Sequence, residues 1–231
     1  MVQTIASKLL SPRSLKLSKF RFPESACAPI GANQIDDFWS GVATQSFREI
    51  KEGGVPAEGT EFRIAVGSDK MLYLAILCRD SDMENLNIMS TLDGDAAIWS
   101  GDFIEVQIET PDHLYYQICV GPAGNIMDID RSEGLNDEWK SGVEVAVNRG
   151  KDEWTVEMRI PPAGATASEI DPNTGISGDL PTVNDPWYIN VGRVRLRDGN
   201  AETSAWSPTG GTFHKPVPGA QKAFGRIFIE K

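Results

Sequence analysis

Histidine and cysteine are both scarce in this chain of 231 residues, with two copies of the first and three of the second. His113 and His214 stand far apart, and no HExxH pattern surrounds either, which excludes the short His-based zinc motifs. Cys27, Cys78 and Cys119 are odd in number and widely spaced, so they build neither a disulfide framework nor a Cys-type metal site. Positive charge is also short. Lys and Arg total 22 against 33 Asp and Glu, a formal charge of −11. A chain this acidic lacks the basic footprint of a nucleic-acid or anionic-membrane binder. No apolar run approaches the roughly 20 residues of a membrane helix, so no membrane insertion is expected. GxGxxG, GxxxxGK[ST] and GxSxG are all missing, which leaves nucleotide-binding and hydrolase-elbow readings without support.

What remains is the composition of a globular domain, 40% hydrophobic and 24% charged. The length suits one large all-β domain or two small ones, either able to bury a core. Residues 1–22 carry five Lys and Arg and no acid, and Pro12 and Arg13 interrupt the apolar stretch that a signal peptide needs. We read 1–23 as an N-terminal extension with an edge strand near 15–22. Residues 24–231 read as a single domain.

Short runs of alternating apolar residues recur at 60–67, 71–79, 102–109, 114–121, 126–131, 142–148, 154–160, 187–195 and 224–230. Gly, Pro, Asn and Asp separate them, the pattern of an antiparallel β-sandwich with immunoglobulin-like layering. Residues 161–186 read as a long loop, and the helical candidates are a turn at 35–39 and a short piece after Pro162. Alternation assigns faces. Ile104, Val106, Ile108, Tyr116, Ile118 and Val120 point to the core. If 102–109 and 114–121 form a hairpin, its outer face collects Trp99, Glu105, Gln107, Tyr115 and Gln117. An aromatic ring beside Glu and Gln suits a pyranose, whose C–H face stacks while its hydroxyls need donors and acceptors. A solvated sheet face reads the same way.

The order of local patterns is more telling than any one of them. Gln-Ile-Asp-Asp-Phe-Trp at 34–39, Leu-Tyr-Leu-Ala-Ile-Leu-Cys-Arg-Asp at 72–80 and Trp-Ser-Gly-Asp-Phe-Ile-Glu-Val-Gln-Ile at 99–108 come first. Trp-Thr-Val-Glu-Met-Arg-Ile-Pro at 154–161, Tyr-Ile-Asn-Val-Gly-Arg at 188–193, Ser-Ala-Trp at 204–206 and Phe-Gly-Arg-Ile-Phe at 224–228 follow. Together they resemble the family 9 carbohydrate-binding modules and the wider DOMON-like group that shares their sandwich. The resemblance implies a slot between two tryptophans that takes the end of a glycan. Trp99 matches the first of them, and Glu105 matches the carboxylate that bonds the sugar. The family's Arg on the next strand falls on Gln117, so one charged donor is lost. The second Trp has no counterpart in the longer loop 207–216, where Phe213 or His214 is the nearest ring. Trp206, Trp39 and Trp154 match core positions.

Asp102, Glu105, Glu109 and Glu157 invite comparison with a glycosidase pair. However, Glu105 and Glu157 match binding or structural positions, so we expect no enzyme. Modules of this kind often carry structural calcium, which takes six to eight oxygens. Candidate ligands are Asp36 and Asp37, then Asp80 and Asp82, with Asp128 and Asp130 as a further pair. The expectation is a non-catalytic module, monomeric or part of a larger protein, outside the cell or in its envelope. It would bind an oligo- or polysaccharide of xylan or cellulose type and target an attached or partner glycoside hydrolase to it, with no redox cofactor. Two alternatives stay open. One is a degenerate sandwich serving as an envelope interaction or sensor domain. The other is a haem-binding electron-transfer domain using Met71, Met83, Met89, Met127 or Met158 with a histidine.

Overall fold

A computed structural model describes residues 13–16, 18, 19, 39, 41–132, 134–162, 174–211 and 223–229. Two sheets pack face to face. The first contains β1 (Ser14–Lys16), β4 (Arg48–Glu49), β7 (Phe103–Thr110), β8 (His113–Val120), β9 (Ile126–Asp130), β12 (Trp187–Arg197), β13 (Asn200–Ala205) and β14 (Gly225–Phe228). Its order is β1-β14-β12-β7-β8-β9, with β13 also on β12 and β4 on β13. The second contains β2 (Ser18–Lys19), β3 (Gln45–Ser46), β5 (Thr60–Val66), β6 (Leu72–Arg79), β10 (Glu144–Arg149) and β11 (Glu153–Ile160). Its order is β10-β11-β6-β5-β2, with β3 also on β5. The all-β sandwich expected from alternation is therefore the fold.

One residue of each alternating pair enters the space between the sheets. Phe62, Ile64, Leu72, Leu74, Ile76, Trp154, Val156 and Met158 enter from the second sheet, and Ile104, Val106, Ile108, Tyr116, Ile118, Val120, Ile189 and Val191 from the first. Each such side chain contributes about 1.5–3 kcal/mol on burial. Trp39, Trp154 and Trp206 are fully buried, as the resemblance implies, and Trp139 and Trp187 join them. Trp39 covers the far side of the second sheet, where its indole N–H donates to Glu157 at 3.3 Å. Trp206 lies against Gly225 so closely that a Cβ there would fall inside the indole ring. Gly225→Ala should therefore lower stability by about 1–3 kcal/mol. Urea unfolding measures this, and a variant as stable as wild type would contradict the packing.

The N-terminal segment is woven into both sheets. β1 pairs in parallel with β14, and β2 in parallel with β5. A strand that alternation did not single out, β13, follows a two-residue turn at Asp198 and Gly199, both with positive φ (50° and 75°). Asp-Gly is a strong signal for this hairpin turn, since Gly adopts positive φ freely and Asp tolerates it.

Candidate functional site

The outer face of the first sheet carries the sequence-derived site. β7 and β8 pair antiparallel, with Glu105 opposite Cys119 and Gln107 opposite Gln117. On its other side β7 meets β12, with Gly192 beside Glu105 and Asn190 beside Gln107. Trp99 belongs to a 3₁₀ turn, Ala96–Ser100, that leads into β7. The Asp95 side chain caps this turn by accepting from the Ala97 N–H at 2.9 Å and from the Ser90 hydroxyl at 2.7 Å. The Trp99 ring is half-buried over an apolar bed of Ile98, Phe103, Cys119, Met127, Ile129 and Val194. Its indole N–H points at Cys119 Sγ, 3.2 Å away.

Beside that bed lies a polar row. Gln107 Nε2 donates to Glu105 Oε1 at 2.7 Å, and the Cys119 thiol lies 3.7 Å from Glu105 Oε2. Arg131 Nε donates to Gln117 Oε1 at 2.7 Å. Alternation makes this face solvent-facing, yet Glu105, Gln107, Tyr115 and Gln117 are all no more than 3% exposed. The chain after β13 contributes to the enclosure. Asn190 Nδ2 donates to the Ser207 carbonyl at 3.0 Å, and the Phe224 ring meets Tyr115 edge-on at 5.8 Å. Burial pushes the Glu105 carboxyl up to about 7, against the help of Gln117, Arg131, Cys119 and Gln107. Burial likewise raises the Cys119 thiol well above its ordinary range.

Arg131 is the residue that sequence reasoning missed. It lies one position past β9, where its N–H still bonds the Tyr115 carbonyl at 3.0 Å. Its parity with Met127 and Ile129 puts it on the site face. A guanidinium therefore stands next to Gln117, where the resemblance implied the loss of one. Phe213 and His214, the candidates for a second ring, lie outside the described residues.

The calcium expectation fares differently at each pair. Asp36 and Asp37 lie outside the described residues. Asp80 is fully buried and receives Arg193 at 2.8 Å, Arg195 at 3.0 Å and Arg197 at 2.7 Å, while its other oxygen accepts the Asp82 N–H at 3.0 Å. Arg197 also approaches Asp82 at 3.6 Å. A cation at Asp80 and Asp82 would have to displace three guanidinium groups, so these two residues do not fit calcium. Asp128 is bonded to Ser141, and Asp130 to His113 at 2.8 Å. Among the described residues no group of three or more His, Cys, Asp or Glu side chains could hold a metal ion. Three of the candidate methionines lie in three different clusters. Met158 lies in the main core, Met127 under Trp99 and Met71 in the cluster around Trp39.

Similarity to solved structures points the same way as the fold. The chain superposes on a putative carbohydrate-binding protein from Bacteroides uniformis with a TM-score of 0.68 at 16% identity, covering 95% of this chain and 100% of that one. It also superposes on a family 9 carbohydrate-binding module from Caldicellulosiruptor kristjanssonii, solved with cellotriose. That TM-score is 0.56 at 11% identity, covering 94% of each chain. No family model matches the chain, and no curated protein matches it in sequence. The fold is a β-sandwich like that of the family 9 carbohydrate-binding modules.

Proposed function

We propose that this protein is a non-catalytic carbohydrate-binding module whose sugar site is the outer face around Trp99. The observation that carries this reading is the half-buried Trp99 ring standing beside a row of Glu105, Gln107, Gln117 and Arg131 on a family 9-like sandwich. The ring supplies the apolar platform, and the row supplies donors and acceptors for hydroxyls. Because that row is so deeply buried, a sugar reaches its polar atoms only as the cover over it is displaced. Phe213 or His214 supplies the second ring, and the ligand is the end of a xylan- or cellulose-type chain. Outside the cell, such binding would hold a linked or partner glycoside hydrolase on its polysaccharide, where modest affinity suffices.

The carboxylates favour binding over hydrolysis. A glycosidase pair stands about 5–9.5 Å apart. Glu105 and Glu157 lie on the outer faces of opposite sheets, which pack about 10 Å apart. Glu105 and Glu109 are four positions apart on β7, about 13 Å along a strand. Asp102 is committed to Arg197 at 2.6 Å and to the Leu196 N–H at 2.6 Å.

Calorimetric titration with cello- and xylo-oligosaccharides, each beside its borohydride-reduced form, tests the reading. The expected Kd is roughly tens of μM to mM. Binding of the disaccharides should vanish in Trp99→Ala, and loss on reduction would identify an end-binding slot. Wild-type protein that gives no heat with any of these sugars would overturn the assignment to these glycans.

A further inference from the structure

At the far end of the same sheet face a second aromatic stands in the open. Tyr188 on β12 is 38% exposed, although its chain neighbours Trp187 and Ile189 are fully buried in the core. Strand register fixes what flanks it. Glu109 on β7 lies directly opposite on one side, and Arg226 on β14 directly opposite on the other. Cross-strand partners of this kind have Cβ atoms about 4.5–5.5 Å apart, so Glu109 and Arg226 both start from positions beside Tyr188. Arg226 is held in place. Its guanidinium stacks 4.5 Å from the Phe228 ring centroid and donates to the Val183 carbonyl at 2.6 Å. Phe228 shares the parity of Arg226 and is only partly buried, so the face continues as a second ring.

Glu109 supplies an independent observation. Among the described residues, its Oε2 is buried and has no hydrogen-bond partner. Burial raises the Glu109 carboxyl above its ordinary range. A buried carboxyl oxygen without a donor costs free energy, which an incoming hydroxyl group would recover. An exposed ring, a carboxyl short of a donor and a positioned guanidinium are the components that a pyranose requires.

We propose that Tyr188, Glu109 and Arg226 form a second sugar-binding subsite, in which a pyranose stacks on Tyr188 while its hydroxyls bond Glu109 and Arg226. The subsite rests on the reading of the Trp99 face as a glycan site and extends it. Glu105 and Glu109 are about 13 Å apart along β7, so one oligosaccharide of several units spans both places. Contact at two subsites makes affinity grow with chain length, since the second contact is intramolecular.

The test titrates the full chain with cellobiose and cellohexaose, for wild type, Tyr188→Ala, Trp99→Ala and the double variant. Thermal melts verify that each is folded. Wild type should bind the hexaose more tightly than cellobiose. Tyr188→Ala should weaken hexaose binding about fivefold and leave cellobiose unchanged. Trp99→Ala should keep a weak hexaose response that disappears in the double variant, and hexaose should shift the amide resonances around 109, 188 and 226. Equal hexaose affinity in wild type and Tyr188→Ala, with those resonances unmoved, overturns the second subsite and leaves the Trp99 site standing. Wild-type protein that binds neither sugar and shows no shifts overturns both.

Discussion

Asp80→Ala should lower the midpoint of thermal unfolding by roughly 10 °C, the largest effect expected from any single substitution here. Asp80 immediately follows β6 of the second sheet, and its carboxylate is 0% exposed. Arg193, Arg195 and Arg197 come from β12 in the first sheet, at every second position and so on one face. Three like charges are gathered there, and Arg193 itself is 1% exposed. Removing Asp80 leaves Arg193 buried without its carboxylate. Breaking a buried pair in this way costs about 3–5 kcal/mol. Burial alone would raise the Asp80 carboxyl, but the bonds from Arg195 and Asp82 and the charges of Arg197 and Arg193 hold it below its ordinary value. Its contribution is thus complete above about pH 4 and is withdrawn as the pH falls through the depressed value. Calorimetric melts at neutral pH measure the loss. Asp82→Ala is the control, because its half-exposed carboxylate accepts from Asn85 Nδ2 at 2.8 Å and pairs with Arg197 at 3.6 Å, and such exposed contacts contribute little. Similar melting of the two variants would show that the cluster is not the clamp between the sheets.

Glu105→Gln should have the opposite sign and a reversed pH dependence. The Glu105 carboxyl titrates near 7 in the fold, against an ordinary 4.5. A raised carboxyl favours the folded state in full below the unfolded value and loses that advantage as the pH rises towards 7. The wild type should therefore lose about 3 kcal/mol between pH 4.5 and pH 7 from this residue alone. Glutamine keeps an acceptor for Gln107 and cannot ionise, so the variant should show a flatter profile and be the more stable protein at pH 8. Urea unfolding of both proteins at pH 5 and pH 8 decides the matter. Parallel profiles would mean that Glu105 is not the buried acid it is taken for.

Much of the sandwich can be read from the chain because the second-position period is strong. All nine alternating runs became strands, with ends displaced by a few residues. The polar run Asn200–Ala205 escaped because β13 presents no continuous apolar face, although its Asp198-Gly199 turn was visible. The short strands β1 and β2 acquire their structure from β14 and β5, and so from residues distant in sequence. At the site, parity alone collected Glu105, Gln107, Tyr115 and Gln117 on one face. Parity says nothing of what lies over a face, so the deep burial of these residues was not legible. Arg131 was hidden for a similar reason, as a residue beyond the last alternating pair. Asp80 read as a cation ligand because its arginine partners lie more than a hundred positions away.

The pairing of β1 with β14 bears on how the protein is made. Ser14 lies beside Arg226, so the outer edge of the first sheet joins two places more than two hundred residues apart. A contact of such separation carries a large loop-closure cost and forms late. During synthesis, β1 emerges well before its partner, which lies more than two hundred residues further along the chain. Until β14 is released, β1 waits with its backbone groups unpaired, a bare strand open to other chains. This ladder therefore closes only after the intervening strands have been made, and quality control has that interval in which to act.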